Sequence, residues 1–383
     1  MINYLNYNFL SKLNIYGNAL ARYTIPYYAL SRGLKVTFLN ISTDKKLEKY
    51  FKVEGNGGFY RISDERGTTH TFNYSKLLQQ NQDKSIKKYS KDNLNNFLDK
   101  LGINHPHSIK FKPNTPLNII QELLPPFPLV VKPINGSMGK GVHANLNTIE
   151  ELQGAIISQK TDFLVENYIT GDEFRIYTVG GIARAACKRE FPHVIGNGKD
   201  KIEKLIENKN TVKQKMRIQT IRINDDLINQ LNNQNLTLDY IPSEKEKIIL
   251  SFKRGRSSGG DIEQNLSLLK PETIEKLEKF AKSIPEFYVL GIDCIINQDD
   301  VFILEVNFRP QITSALMPDT GNSIDLPKII IDNIFKFDKE KQISPINFKK
   351  VLKYVENTTL PWEEITIKNE DIQIKLKSDE YWF

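Results

Sequence analysis

The stretch that most restricts the fold runs from Pro128 to Gly141, P-L-V-V-K-P-I-N-G-S-M-G-K-G. Leu129, Val130 and Val131 make a short apolar run of the kind a sheet buries, and Pro133 ends its regular pairing. Beyond it stand three glycines, Gly136, Gly139 and Gly141, within six residues. Glycine lets the backbone bend so that successive N–H groups turn inward on an anion. Lys132 and Lys140 put positive charge on either side. A strand leading into such a loop predicts a cover over phosphate groups. It is not a Walker A loop, since no Ser or Thr follows Lys140, and it is not G-x-G-x-x-G. A flexible glycine-rich hairpin with a solvated lysine explains the same residues, so the rest of the chain must decide.

At 383 residues there is room for two or three domains. Cys187 and Cys294 lie far apart in apolar runs. That pattern argues against a disulfide framework or a zinc site and predicts a reducing, cytoplasmic setting. The opening M-I-N-Y-L-N-Y-N-F-L lacks a basic n-region and a continuous apolar segment, so no signal peptide is expected. No run approaches the length of a membrane span. The net charge of +7 suits an anionic ligand, but the lysines are dispersed, and most read as solvated surface. No nucleic-acid motif is visible, and a homo-oligomer is left open.

In chain order, residues 1–87 read as a small α/β unit: a helix over Ala19–Ser31, a strand over Leu34–Asn40, a turn at Gly55–Gly58, and strands at Phe59–Ile62 and Thr68–Asn73. A second helix follows, its face made by Leu94, Phe97, Leu98 and Leu101 at i, i+3, i+4 and i+7, with Ser90 or Asp92 as cap and Gly102 as stop. His105 and His107 flank a proline and read as structural loop residues. Thr148 and Glu151 form a capping box for a helix to about Lys160. Glu173–Val179 and Ile182–Arg189 form a hairpin around Gly180-Gly181. Alternation puts Glu173, Arg175 and Tyr177 on one face and Arg184, Ala186 and Lys188 together on the partner strand. Asn210–Glu246 reads as a polar helical insertion. Arg254–Asp261, R-G-R-S-S-G-G-D, is a second glycine-rich loop, and Pro271–Ser283 is a helix. Residues 341–383 read as a tail whose aromatics, Trp362, Tyr381, Trp382 and Phe383, dock on the body.

Val289–Ile296 and Val301–Asn307 predict a hairpin with a carboxylate inside each apolar strand. A buried charge needs a partner or a metal. Glu305 and Asn307 share a face by period two. A three-residue loop at 298–300 sets Asp293 opposite Glu305, and a one-residue slip spoils this. Two carboxylates and an amide oxygen make an oxygen-only site suited to Mg²⁺; a pair of solvent-facing acids is the alternative.

Taken together, V-V-K-P with its glycine loop, V-E-N-Y-I-T-G-D-E-F-R, C-K-R, S-S-G-G-D and the Asp–hairpin–Glu-x-Asn order resemble the ATP-grasp superfamily of carboxylate–amine ligases over about residues 88 to 335. The likeness is greatest to the ATP-grasp domains of cyanophycin synthetase and bifunctional glutathione synthetase. It implies an α+β fold with nucleotide held between subdomains 88–165 and 166–340, residues 1–87 preceding them and 341–383 following as a tail. It implies that Lys91 and Lys132 contact ATP, and that Gly136, Ser137, Met138, Gly139, Lys140 and Gly141 close over its phosphates. Glu166, Asn167, Tyr168 and Ile169 form the adenine hinge, and Glu173 binds the ribose. Lys188 and Arg189 lie near the transferred phosphate, and Asp293, Glu305 and Asn307 hold two Mg²⁺, with Mn²⁺ as an alternative. Arg309 stands where small residues are common in the family, and the extra catalytic domains of those long enzymes are not expected in this chain. Both departures bear on the substrate.

The chemistry implied is transfer of the ATP γ-phosphoryl group to a substrate carboxylate, followed by attack of an amine on the acylphosphate. The substrates would be amino acids or peptides. Arginine pairs bidentately with carboxylates, which makes Arg175, Arg256 and Arg309 candidates for binding them, with Ser258 and Gly259 offering the second loop's backbone. A phosphotransferase without an amine acceptor and a non-catalytic nucleotide-binding module are the competing readings.

Overall fold

Leu30 and Leu34 bracket the tight stop that ends helix Ala19–Ser31 (α1), with Gly33 at φ 77°. In this computed structural model the described residues are 19–40, 58–79, 82, 86–91, 93–135, 141–215, 218–298, 300–337, 351, 353, 355, 362–368 and 371–376. The strand Lys35–Leu39 (β1) is buried at all but its first residue, as its continuous V-T-F-L run requires of a strand covered on both faces. Phe59–Ser63 (β2), Thr69–Asn73 (β3) and Lys76–Leu77 (β4) extend its sheet on one side. Gly55 to Gly57 of the predicted turn lie outside the described residues.

Leu94–Leu101 (α2) buries Leu94 and Leu98 and ends on Gly102 at φ 65°. Its N-cap is Asn93, with no side-chain cap bond. Ser90 serves through its carbonyl, which accepts from the amides of Asn93 and Leu94; Asp92 lies outside the described residues. A second sheet has the order β5-β8-β6-β7, built from Ser108–Phe111 (β5), Leu129–Pro133 (β6), His143–Leu146 (β7) and Phe163–Asn167 (β8). Leu117–Leu123 (α3) and Ile149–Ile157 (α4) cover it through Ile120, Leu152 and Ala155. Thr148 Oγ1 accepts from the Glu151 amide at 3.2 Å, while Glu151 reaches back to the amide of Asn147 at 2.6 Å, one residue before the expected partner.

Asp172–Val179 (β9) and Ile182–Arg189 (β10) form the predicted hairpin. A small lobe follows, made of His193–Ile195 (β11), Ile202–Lys215 (α5), Asp225–Asn232 (α6) and Lys247–Ile249 (β12), around Val194, Ile202, Leu227, Leu231 and Ile248. The expected helical insertion is helical only in the end of α5 and in α6; its other described residues are loop and turn. Then come Ile262–Gln264 (β13), Pro271–Lys282 (α7), Val289–Asn297 (β14), Asp300–Asn307 (β15), Thr313–Leu316 (α8), Thr320–Gly321 (β16) and Leu326–Ile334 (α9).

The central sheet has the order β15-β14-β9-β10-β13-β16. One face, with Phe174, Ile176, Ile292 and Cys294, packs on Leu277 and Phe280 of α7. Part of the other face, with Tyr177, Cys187 and Val289, joins α1, α9 and the N-terminal sheet in a shared core. The remainder of that face floors a cleft. Trp362–Lys368 (β17) pairs antiparallel with β1, and Asp371–Leu376 (β18) pairs with β17. Over these strands the segment expected as a separate tail is part of the N-terminal sheet; Tyr381, Trp382 and Phe383 lie outside the described residues. No described helix is long and apolar enough to cross a membrane.

Candidate active site

Two β-bulges decide which side chains face the cleft. In the β14–β15 hairpin Asn297 pairs with Asp300, so the turn is one residue shorter than expected. The missing residue reappears in a register shift beyond Cys294–Ile303, which leaves Leu304 as the extra residue and restores Asp293 opposite Glu305. The second bulge, between Ala183 and Ala185 in β10, sets Cys187 opposite Arg175 and Arg189 opposite Glu173. Arg184 is the extra residue, and it flips every side chain beyond it relative to a hairpin without a bulge. Arg189 therefore faces the cleft and Lys188 does not. Lys188 pairs with Phe174 and bridges Asp172 at 2.9 Å and Glu190 at 3.6 Å. Lys188, expected beside the transferred phosphate, does not line the cleft.

A row of side chains, Glu305–Asp293–Arg175–Cys187, now crosses four strands. Arg175 clamps Asp293 bidentately, through Nε to Oδ1 and through Nη2 to Oδ2 at 2.7 Å. Arg189 Nη2 donates to the same Oδ1 at 3.0 Å, and its Nη1 donates to Glu173. Burial alone would raise the Asp293 carboxyl; the guanidinium groups of Arg175 and Arg189 overcome it and hold the group at about 2. Gly291 makes room for this arrangement, since a Cβ there would stand 2.8 Å from Pro310 Cβ and 3.0 Å from Arg175 Cδ. Asn307 is paired with Gly291, beside the acidic pair. Lys91 lies 3.3 Å from Glu305, which places it at the acidic end of the site.

The oxygen donors suit a hard cation. Both Asp293 oxygens, however, already accept from guanidinium groups, so Glu305 and Asn307 present the more available oxygens. Among the described residues no cluster of three or more His, Cys, Asp or Glu side chains could hold a metal; an acid pair with an amide is the set actually present.

Lys132 and Glu166 form a buried pair at 2.7 Å, and Ser108 Oγ donates to the other Glu166 oxygen at 2.5 Å. Asn167 Oδ1 accepts from the His107 amide, and the Tyr168 amide donates to Pro128 O. Tyr168 and Ile169 line the cleft; Lys132, Glu166 and Asn167 stand behind them. Gly136, Ser137, Met138, Gly139 and Lys140 lie outside the described residues. Gly141, at φ 71°, packs against Pro133 and gives its carbonyl to Gln159.

The second glycine-rich loop is tied up internally. The amides of Ser258, Gly259 and Gly260 donate to Gly255, Arg256 and Gly255 carbonyls, and Ser258 Oγ donates to Lys253 O. The Ser258 and Gly259 amides, expected to face a substrate, are therefore already used, and Gly259 packs against Ile221. Arg256 does reach the cleft. Its Nη2 is held by Met317 O and by Asp319 at 3.2 Å, while Nε and Nη1 are buried without a partner. Such orphaned donors mark a place for an anion or water. Arg309 lines the cleft beyond Asn307, held by Asn73 at 3.3 Å.

The cleft encloses about 1760 Å³, above the usual range of roughly 300–1,000 Å³ for a single ligand. Sequence reasoning missed part of its wall. Phe252 and Phe191 meet edge-on at 5.7 Å, with Arg254 over Phe191. Asp226, Asn229, Gln230 and Asn233 line it from α6. Their i, i+3, i+4, i+7 spacing opposite Leu227 and Leu231 was a legible amphipathic signal.

The ATP-grasp domain pattern matches residues 89–313, well over half the chain. The chain belongs to the ATP-grasp family. This ATP-grasp chain is 26% identical to cyanophycin synthetase of Crocosphaera subtropica over 226 residues, covering 55% of this chain and 26% of that protein. It is 25% identical to the glutathione biosynthesis bifunctional protein of Listeria innocua over 323 residues, covering 80% of this chain and 40% of that protein. It superposes on the bifunctional glutathione synthetase of Pasteurella multocida with a TM-score of 0.59 at 20% identity, over 82% of this chain and 43% of that one. The chain thus spans less than half the length of these relatives.

Proposed function

We propose that the chain is an ATP-dependent carboxylate–amine ligase that joins amino acids or peptides through an acylphosphate. The observation that carries this reading is the cleft floor itself. Glu305 and Asn307 line one cleft together with Arg175, Arg189, Arg256 and Arg309, an arrangement suited to a metal-bound nucleotide and a carboxylate together. No covalent nucleophile is called on. Both cysteines are buried, and burial pushes the thiol of Cys187 up to about 12 and that of Cys294 higher still.

On this reading residues 88–165 and 166–340 hold ATP between them. Tyr168 and Ile169 border the base, Glu173 faces the ribose, and the loop at 136–141 covers the phosphates. Glu305 and Asn307, with Asp293 beside them, are the residues that would hold Mg²⁺. Bound there, Mg²⁺ would neutralise charge on the transferring phosphoryl oxygens. Arg189 and Arg256 orient the phosphoryl and carboxylate groups and stabilise the charge that develops. The carboxylate oxygen bonds to Pγ as the bond to ADP breaks. An amine nitrogen then bonds to the acyl carbon as phosphate leaves, and the amine loses a proton. The buried free thiols suit a reducing cytoplasm.

The test is ADP release over pairs of amino acids and peptides with Mg²⁺. Release that needs both a carboxylate and an amine, with an amide product, is expected. ADP release without any amine, with a stable phosphorylated product, would instead mean a phosphotransferase. No release with any pair would favour a nucleotide-binding module.

A further inference from the structure

Tyr74 occupies a backbone conformation that a bulky residue rarely adopts. It lies in the two-residue connection between Asn73 and Lys76, at φ 52°. Glycine, asparagine or aspartate is usual at positive φ in such a turn. The surroundings hold tyrosine there from several sides. Its amide donates to Gly58 O at 2.8 Å, and its carbonyl accepts from the Tyr60 hydroxyl. Its ring lies against Gly58, where a Cβ would come within 2.6 Å of it.

The turn touches the cleft through one neighbour. The Arg309 guanidinium carbon stands 5.1 Å from the centre of the Tyr74 ring, and Nη1 donates to Asn73 Oδ1 at 3.3 Å. Ser75 Oγ donates to Pro310 O at 2.6 Å. Three consecutive turn residues therefore grip Arg309-Pro310, immediately past the end of β15. Neither Asn73 nor Tyr74 lines the cleft, whereas Arg309 does. An uncommon backbone conformation maintained this fully points to function rather than to packing alone.

We propose that the Asn73–Ser75 turn is a positioning device for Arg309, with Tyr74 as the face on which its guanidinium rests while it takes a substrate carboxylate. This assigns the N-terminal sheet a part in substrate specificity, and it rests on the ligase reading given above. Tyr74 and Asn73 are positioning residues: they act through Arg309 and touch no substrate. A ring face restricts the guanidinium without neutralising it, so the cation stays available to an incoming anion.

The experiment uses the full chain labelled with ¹⁵N-arginine. The Arg309 Nε–Hε signal is assigned by its loss in Arg309→Met. In the wild type it should carry a ring-current shift, which Tyr74→Leu should abolish and the conservative Tyr74→Phe should restore. Asn73→Ala, which keeps the ring, is a second variant should Tyr74→Leu not fold; it should broaden or move the same signal. With a carboxylate substrate found by ADP release, Tyr74→Leu should raise its KM roughly three- to tenfold with the KM for ATP unchanged. The Tyr74→Leu/Arg309→Met double variant should be no worse than Arg309→Met. An unmoved Arg309 signal in Tyr74→Leu or Asn73→Ala, or KM effects that multiply in the double variant, would overturn the proposal. A moved signal together with no ADP release for any substrate pair would overturn the ligase reading and leave the positioning of Arg309 standing.

Discussion

Replacing Asp293 by asparagine should destabilise the protein as well as silence it. The carboxylate is the shared partner of a buried cation, Arg175, and a half-buried one, Arg189. Arg189 keeps Glu173 after the change, but Arg175 loses its charged partner. Removing one member of a buried ion pair costs about 3–5 kcal/mol, and asparagine retains one accepting oxygen, which favours the low end. The titration gives a similar figure: a carboxyl held at about 2 against an ordinary 3.8 corresponds to roughly 2 kcal/mol. At about 1–2 °C per kcal/mol for a chain of 383 residues, Tm should fall by roughly 2–6 °C at pH 7. The sign with pH follows from the depressed pKa. The wild-type contribution is fully present above the unfolded value near 4 and is lost as pH falls through 2, so the gap between wild type and variant narrows in that window. Thermal unfolding followed by circular dichroism at pH 7 and at pH 3 measures both. A variant within 1 °C of wild type at pH 7, or a gap of the same size at both pH values, would refute the argument.

Glu305→Gln should behave differently, because its side chain is 36% exposed and its pair with Lys91 is screened by water: Tm stays nearly unchanged while Mg²⁺-dependent ADP release is lost, and retained turnover in the purified variant would count against a metal role. Lys132→Ala should weaken ATP binding measured by calorimetry and also lower Tm, since Glu166 is left buried without its cation; unchanged affinity would remove Lys132 from the nucleotide site. Gly291→Ala should lower Tm by the equivalent of about 1–3 kcal/mol, because its methyl would meet Pro310 and Arg175; an unperturbed melting curve would show that the Arg175 clamp has slack.

What could be read in the sequence was whatever depends on local pattern. The hairpins at Gly180-Gly181 and at 298–300, the α2 face and the Gly102 stop follow from period and turn chemistry. The facing of Asp293 and Glu305 was also legible, although the loop length assumed for it was wrong and the Leu304 bulge made up the difference. Lys188 and Arg189 show the limit. A bulge carries no reliable signature in A-R-A-A-C-K-R, yet it decides that only Arg189 of the two basic residues enters the cleft. The loop at Arg254–Asp261 failed for another reason: its composition was right for a donor-rich loop, but whether those amides turn outward or bond one another is a matter of closure, which composition does not encode. The role of 362–376 was invisible because its partner, β1, lies over three hundred residues away.

That pairing also governs synthesis. The strand β1 is central in its sheet, yet one of its two neighbours is β17, beginning at Trp362. At roughly 5–20 residues per second, a ribosome needs on the order of 16–65 s to make the intervening chain. During that interval one edge of β1 carries unpaired N–H and C=O groups, and an open strand edge is a template for pairing with other chains. The core over it is likewise completed late, by Ile330 and Ile331 of α9 and by Ile365 and Ile367 of β17. The first of the described strands is thus among the last to be sealed, and nascent chains truncated before Trp362 should be the species that chaperones hold and proteases clear.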